Sequence, residues 1–247
     1  MPSENKAKTL VITGGAGDIG GALITGFLAK HYQVIAVDRD QARLDALEKR
    51  DGLHTVAIDI TQEDKVAELF EKTVPQIVGE LGVLINGAGV MVRATPHETT
   101  FEEWRRVMSV NLDAAFLCAR GAGRLMLQQG YGNIINIASM AGIKALDRRV
   151  AYCTSKAGIA HMTRVQALEW GNLGIRVNAI APGFILGSMN ADLRKDPRRY
   201  EAMNSQVPMN RFGQPEELVG PALFLASDES SYINGHVLAV DGGLLVT

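Results

Sequence analysis

Cysteine is scarce in this sequence. Cys118 and Cys153 are the only two among 247 residues, and they show neither CxxC spacing nor the density of a disulfide scaffold. Such cysteine usage fits a reducing cytoplasm. The five histidines show no HxxxH or HExxH spacing, so we expect no metal site.

Long apolar runs and an excess of one charge are also lacking. No stretch approaches 18 uninterrupted apolar residues, and the first ten residues lack the apolar segment of a signal peptide. A formal net charge of −2 gives no reason to expect nucleic acid or an anionic membrane as a partner. We therefore expect a globular protein of the cytoplasm that has neither partner.

Short apolar segments alternate with helical patterns along the whole chain. Most of these segments are continuously apolar, which is typical of a parallel sheet covered on both faces. Strands are predicted at residues 9–13, 33–38, 54–59, 83–86, 133–138, 175–180 and 236–240. Helices are predicted at 19–30, 41–49, 63–80, 101–129, 152–173 and 215–227. The pattern predicts one domain over residues 1–247 with a Rossmann-type doubly wound α/β fold. It has a seven-stranded, mainly parallel sheet, helices on both faces, and a substrate loop with helices at about 184–211.

A glycine-rich loop between the first strand and the first helix indicates a dinucleotide site. Glycines let the backbone approach a pyrophosphate, and the helix N-terminus supplies unpaired N–H groups. Asp38 closes the second strand, eighteen residues after Gly20, where a carboxylate binds the adenosine ribose hydroxyls. This favours NAD over NADP. Arg39 is the counter-argument, because a guanidinium can bind a 2′-phosphate.

Tyr152 and Lys156 stand four residues apart in a predicted helix, so they share one face. At roughly 4 Å and an effective dielectric of about 20, an ammonium stabilises a phenolate by on the order of 4 kcal/mol. We therefore expect the pKa of Tyr152 to fall from about 10 toward about 7, where a phenolate acts as a general base. Ser139, at a strand end, could hold the reacting oxygen beside it. The pair alone is not a specific signal.

On its full set of motifs the chain resembles the short-chain dehydrogenase/reductase family over nearly its whole length. The order and spacing of these motifs agree with the family. They are Thr13-Gly14, Asp59-Ile60, Asn86-Gly87-Ala88-Gly89, Asn111, Ser139, Tyr152-x-x-x-Lys156, Arg176-Val177-Asn178, Pro182-Gly183 and Asp241-Gly242-Gly243.

The resemblance implies roles for four residues. Tyr152 exchanges a proton with the substrate oxygen, and Lys156 lowers its pKa and holds the nicotinamide ribose. Ser139 orients the carbonyl or alcohol, and Asn111 positions a water. The implied cofactor-binding residues are Gly14, Gly17, Asp18, Ile19, Gly20, Asp38, Arg39, Asp59, Ile60, Asn86, Ala88, Gly89, Tyr152, Lys156, Pro182, Gly183 and Ile185.

Two positions depart from the family pattern. Asp18 replaces the middle glycine of the loop, and we expect its carboxylate to turn away from phosphate and cap N–H groups at the helix N-terminus. Gly187 replaces a threonine that binds the nicotinamide carboxamide. Either Ser188 substitutes for that threonine or the backbone acts alone.

The implied activity is hydride transfer between NAD and a secondary alcohol or ketone. The substrate-facing segments resemble those of family members that act on polyols, sugars or sugar acids. Two alternatives are a reductase of 3-oxoacyl thioesters on acyl carrier protein and a non-catalytic dinucleotide-binding protein. The helices at 101–129 and 152–172 suggest, by family resemblance, a homo-oligomer, either a tetramer or a dimer.

Overall fold

A computed structural model shows one parallel sheet with helices packed on both faces. It describes residues 7–247 and, apart from residues 190, 193 and 194, their side chains. Its strands are β1 (Thr9–Thr13), β2 (Gln33–Asp38), β3 (Leu53–Ala57), β4 (Val83–Asn86), β5 (Gly132–Ile137), β6 (Ile175–Pro182) and β7 (Val237–Val240). Their order in the sheet is β3-β2-β1-β4-β5-β6-β7, and each neighbouring pair runs parallel. The predicted doubly wound α/β fold is therefore confirmed.

The helices lie between successive strands along the chain. They are α1 (Asp18–Leu28), α2 (Gln41–Asp45), α3 (Glu63–Glu68), α4 (Val74–Val78), α5 (Phe101–Met108), α6 (Ala114–Gln129), α7 (Val150–Trp170), α8 (Ala191–Arg194), α9 (Pro197–Asn204) and α10 (Val219–Ala226). Across residues 7–247, none of them has the length and apolar character that a membrane crossing requires.

The side chains of each strand point alternately to the two faces of the sheet, so the core has two layers. In β1, Leu10 and Ile12 pack with Phe27 of α1 on one face, whereas Val11 packs with Met126 of α6 on the other. All five side chains are fully buried. Because successive strand residues point to opposite faces, a continuously apolar strand can serve both layers.

Two helices that the sequence predicts as continuous contain a π-turn. Leu69–Thr73 separates α3 from α4, and Ser109–Asp113 separates α5 from α6. Pro75 follows the first π-turn, and proline lacks an N–H and crowds the carbonyl four residues earlier, which favours a wider turn. The second π-turn contains Asn111, whose side chain bonds outside the helix.

The strand order places a crevice at one edge of the sheet. β1 pairs with β2 on one side and with β4 on the other, so the chain connections diverge beyond its carboxyl end. In open α/β sheets this switch point is where ligands bind. A cleft of about 350 Å³ opens at this position.

Candidate active site

The cleft gathers most of the residues that the sequence predicts for cofactor and substrate. Asn86 and Asn111 are the two predicted residues that do not line it. The predicted residues that do line it are Gly14, Gly17, Asp18, Ile19, Gly20, Asp38, Arg39, Asp59, Ile60, Ala88, Gly89, Ser139, Tyr152, Lys156, Pro182, Gly183 and Ile185.

The glycine loop has the geometry that a pyrophosphate requires. Gly14 has a φ of +69°, and a Cβ there would lie 2.8 Å from the Ala88 Cα, so only glycine fits this turn. Helix α1 begins after Gly17, whose position offers no side chain to bond the first N–H groups. These donors face the cleft at the positive end of an 11-residue helix, so the loop fits a dinucleotide phosphate.

Asp38 and two arginines line the far end of the cleft. The Asp38 carboxylate accepts hydrogen bonds from the N–H groups of Ala16, at 3.3 Å, and Asp40, at 3.2 Å. Arg39 and Arg43 line the cleft beside it, and Arg43 donates to the Ala16 carbonyl at 2.7 Å. A carboxylate at the end of β2 matches the hydroxyl pair of an adenosine ribose.

Asp59 organises the turn that follows β3. Its carboxylate accepts the N–H of Thr61 at 3.0 Å and the Thr61 hydroxyl at 2.7 Å. These two hydrogen bonds hold the pKa of Asp59 below its usual value. The carboxylate therefore stays ionised and fixes Ile60, which forms part of the cleft wall.

Ser139 and Tyr152 both line the cleft and interact with each other. Ser139 follows β5, and its Oγ accepts the N–H of Ala141 at 3.1 Å, which leaves its own hydrogen for another partner. Burial raises the pKa of the Tyr152 phenol, while the hydrogen bond with Ser139 and the charge of Arg149 act in the opposite direction.

Lys156 lies near the Tyr152 ring in the same cleft. Its Nζ is 5.9 Å from the ring centroid of Tyr152 and donates to the Ile137 carbonyl at 2.7 Å. Burial lowers the pKa of Lys156 to about 8. The expected fall in the Tyr152 pKa through Lys156 is therefore wrong, because burial raises that pKa and Lys156 is not among the groups that lower it.

The two asparagines outside the cleft tie its walls together. Asn111 is buried, and its Oδ1 accepts the Val90 N–H at 2.7 Å while its Nδ2 donates to the Val90 carbonyl and to Ser155. Asn86 is also buried, and its Nδ2 donates to Asn136 Oδ1 at 2.9 Å. Asn111 thus fixes the segment after β4 against α7, and the water-positioning role stays a prediction.

The two departures from the family pattern contact each other. The Asp18 carboxylate accepts the N–H and the hydroxyl of Ser188, both at 2.7 Å. Although burial is the largest influence and raises the pKa of Asp18, these bonds and its own N–H leave that pKa lowered. The expected capping at the N-terminus of α1 is therefore right only for its own N–H. The main hydrogen-bond partner of the Asp18 carboxylate is Ser188, in a different loop. This loop can approach Asp18 because Gly187 has no side chain, and a Cβ there would clash with the carboxylate.

Arg149 and Arg43 also line the cleft, and neither was predicted from the sequence. Arg149 lies three residues before Tyr152, at the start of α7, and its side chain is 9% exposed. A signal was available, since two adjacent arginines precede the apolar start of α7. Among the residues that the structure describes, no group of three or more His, Cys, Asp or Glu side chains is placed to hold a metal.

Comparison with known proteins gives consistent matches over the whole chain. A family model described as Enoyl-(Acyl carrier protein) reductase matches residues 14–245. The chain is 39% identical over 246 residues to the 3-oxoacyl-(acyl-carrier-protein) reductase FabG of Thermotoga maritima, with 98% of this chain and 99% of that protein covered. It is 36% identical over 241 residues to the NAD-dependent glycerol dehydrogenase of Listeria innocua, with 97% and 94% covered.

A solved structure of a dehydrogenase also matches nearly the whole chain. The gluconate 5-dehydrogenase of Burkholderia cenocepacia, crystallised with NADP and tartrate, matches with a TM-score of 0.92 and 30% sequence identity. The match covers 97% of this chain and 95% of that one.

Proposed function

The chain belongs to the short-chain dehydrogenase/reductase family, and on that premise we propose that it oxidises a secondary alcohol of a polyol, sugar or sugar acid, with NAD as the hydride acceptor. The observation that carries the proposal is that Ser139, Tyr152 and Lys156 line one cleft together with the glycine loop. The Listeria glycerol dehydrogenase and the Burkholderia gluconate dehydrogenase support this substrate class by their names.

The proposed mechanism assigns one task to each side chain. Bound NAD would supply the hydride acceptor, and the residues of the cleft place the alcohol and move its proton. The Tyr152 phenolate accepts the hydroxyl proton as the C–H hydride leaves, so the alcohol becomes a ketone. Ser139 donates a hydrogen bond to the substrate oxygen, because its Oγ already accepts the Ala141 N–H. Lys156, with its pKa near 8, would hold the nicotinamide ribose.

NAD rather than NADP is the proposed cofactor because of Asp38. A 2′-phosphate would meet a carboxylate and would lose the hydrogen bonds that a ribose diol makes with it. Arg39 and Arg43 favour the opposite choice, and the Burkholderia structure contains NADP. We expect Asp38→Ala to lower kcat/KM with NAD and raise it with NADP. An unchanged ratio of the two values would show that Asp38 does not select the cofactor.

A substrate panel tests the proposed activity directly. NAD reduction is followed at alkaline pH with polyols, sugars and sugar acids, with Tyr152→Phe as the matched variant that lacks only the hydroxyl. We expect turnover by the wild type, a loss of at least about 100-fold in kcat in the variant, and equal NAD dissociation constants for both. NAD binding without turnover on the whole panel would support a non-catalytic binding protein.

A second candidate is the reduction of 3-oxoacyl thioesters. It is favoured by the 39% identity to the Thermotoga reductase. Oxidation of NADPH or NADH with acetoacetyl thioesters, but not with small ketoses, would establish this candidate and exclude the first.

We also propose that residues 1–247 act as one domain within a homotetramer or dimer in the cytoplasm. Large apolar side chains are exposed on the two long helices: Phe116 and Leu127 on α6, and Val165 and Leu168 on α7. Leu168 is 81% exposed, and a helix of a partner subunit would bury it. The free Cys118 and Cys153 fit a reducing compartment. Light scattering on the wild type and on Leu168→Lys tests the assembly, and an unchanged monomer mass in both would contradict it.

A further inference from the structure

A guanidinium is buried in the wall of the cleft beside the catalytic phenol. The Arg149 side chain is only 9% exposed, and it lines the cleft together with Tyr152 and Leu146. Its charge is close enough to favour the Tyr152 phenolate. Arg149 therefore borders the space that a substrate occupies when its hydroxyl reaches Tyr152.

The charge of Arg149 is weakly compensated by the protein. Within residues 7–247, its side chain donates two hydrogen bonds, both to Asp147: from Nη1 to the carbonyl at 3.0 Å and to Oδ1 at 3.5 Å. The Asp147 side chain is 87% exposed, so water rather than Arg149 solvates most of that carboxylate. A buried guanidinium with so little anionic compensation is costly, and a ligand carboxylate would reduce this cost.

The backbone holds Arg149 in this position from both sides. Arg148 has a φ of +53°, an uncommon conformation for a residue with a side chain, which turns the chain directly before Arg149. Arg149 also forms an isolated parallel β-bridge with Ala94. The bridge joins the start of α7 to the segment after β4, so both neighbouring segments fix Arg149. Strained backbone of this kind is concentrated at functional sites.

A second layer of positive charge lies next to Arg149. Burial is the main factor that lowers the pKa of the Arg93 guanidinium, and the charges of Arg149 and Arg199 lower it further, while Asp192 acts in the opposite direction. Arg93 also donates to the Met189 carbonyl at 3.3 Å, which links this layer to the substrate loop. The charges of Arg149, Arg199 and Asp192 therefore all act on Arg93, which lies outside the residues that line the cleft.

We infer that Arg149 binds a carboxylate of the substrate, and that the preferred substrate is a hydroxy acid rather than the neutral polyol with the same carbon skeleton. This inference rests on the proposed function. A guanidinium binds a carboxylate through two parallel N–H···O bonds, a geometry that the hydroxymethyl group of a polyol cannot match. The carboxylate itself does not react. The alcohol carbon transfers its hydride to NAD, the hydroxyl proton passes to Tyr152, and the product is a keto acid.

Matched pairs of substrates test the inference. D-gluconate and D-glucitol, and D-galactonate and galactitol, differ in a carboxylate against a hydroxymethyl group at one end. For each pair, kcat/KM with NAD is measured for the wild type, Arg149→Gln, Arg149→Lys and Arg148→Gln. We expect the wild type to prefer the acid and Arg149→Gln to reduce the ratio of acid to polyol by about 10- to 100-fold, the size of a lost hydrogen bond to a charged group. Arg149→Lys should restore part of the ratio, because the charge returns without the paired geometry.

Arg148→Gln is the matched control because it makes the same change one residue earlier. Arg148 is half exposed and lies 3.8 Å from Glu98, outside the residues that line the cleft. We expect it to leave the ratio within about twofold of the wild type, and NAD dissociation constants by calorimetry should agree among all four proteins.

The possible results separate the inference from the proposal beneath it. A wild type that prefers the polyols, or an Arg149→Gln variant that lowers both values by the same factor, overturns the inference and leaves the proposed dehydrogenase in place. NAD binding with no oxidation of either member of any pair overturns the proposed function and the inference together.

Discussion

Replacing Gly187 by threonine, the family residue at this position, would test whether the two departures from the family pattern depend on each other. The backbone is no obstacle, since Gly187 has a φ of 169° and any residue adopts this extended conformation. The obstacle is Asp18, because a Cβ at residue 187 would lie 2.8 Å from its Oδ2 and 3.1 Å from its Cγ. Asp18 must move, and it then loses its two 2.7 Å hydrogen bonds from Ser188.

The cost can be worked out from these contacts. Overpacking costs about 1 kcal/mol in a loop that can adjust, the lower end of the usual range. The two hydrogen bonds contribute about 0.5–1 kcal/mol together, because Asp18 is exposed and water screens its charge. A sum of about 1.5–2 kcal/mol shifts the opening equilibrium of the loop about 10- to 30-fold.

Limited trypsin digestion measures this opening. The segment at 184–211 contains exposed cleavage sites after Lys195 and, within α9, after Arg198 and Arg199, and cleavage follows the open population when reclosing is fast. We expect Gly187→Thr to be cut about 10- to 30-fold faster than the wild type. The double variant Asp18→Gly/Gly187→Thr, in which the clash is absent, should be cut no faster than Asp18→Gly alone. Additive effects of the two substitutions, within about 0.5 kcal/mol, would refute the coupling.

Three further predictions concern buried titratable groups. Burial lowers the pKa of Lys156 from 10.5 to about 8. The protonated lysine therefore destabilises the folded protein below pH 8, and this cost disappears between pH 8 and 10.5. We expect Lys156→Met to raise the Tm by a few degrees at pH 7 in calorimetry, to lose this gain between pH 8 and 10.5, and to lose turnover. An equal or lower Tm at pH 7 would contradict this. Because the pKa of Tyr152 is raised, kcat/KM for alcohol oxidation should rise with pH across pH 7–9. Because the charge of Arg149 lowers the Tyr152 pKa, the rise in kcat/KM should occur at higher pH in Arg149→Gln. Superimposable pH profiles of kcat/KM for the wild type and the variant would show that Arg149 has no electrostatic effect on Tyr152. The Cys118 thiol has a pKa raised to about 12 by burial, so it should not react with a thiol reagent until the protein unfolds, and rapid labelling at pH 8 would be inconsistent with its place in the core.

The sequence predicts what depends on local pattern. The limits of β1, β2 and β4 agree with the prediction because each strand is an apolar run that ends at a glycine or a carboxylate. The edge strand β3 was predicted as 54–59, but it ends at Ala57, where the chain turns toward Asp59. Ser139, Tyr152 and Lys156 line one cleft because the end of β5 meets the start of α7 there, and their catalytic roles stay a prediction.

What the sequence did not predict depends on contacts between distant residues. The bond from Asp18 to Ser188 spans 170 positions and arises from the path of the substrate loop. The raised pKa of Tyr152 depends on burial, which no spacing reports. The buried position of Arg149 depends on the left-handed turn at Arg148 and on the bridge to Ala94.

The π-turn at Ser109–Asp113 has a consequence for insertions and deletions. A turn of this kind holds one residue more than an α-helical turn, and each residue rotates the helix face by about 100°. Deleting one residue at this turn would give a smooth helix from Phe101 onward, but α5 would then present a different side to α7. Evolution or engineering can therefore change the identity of residues in this helix far more readily than its length.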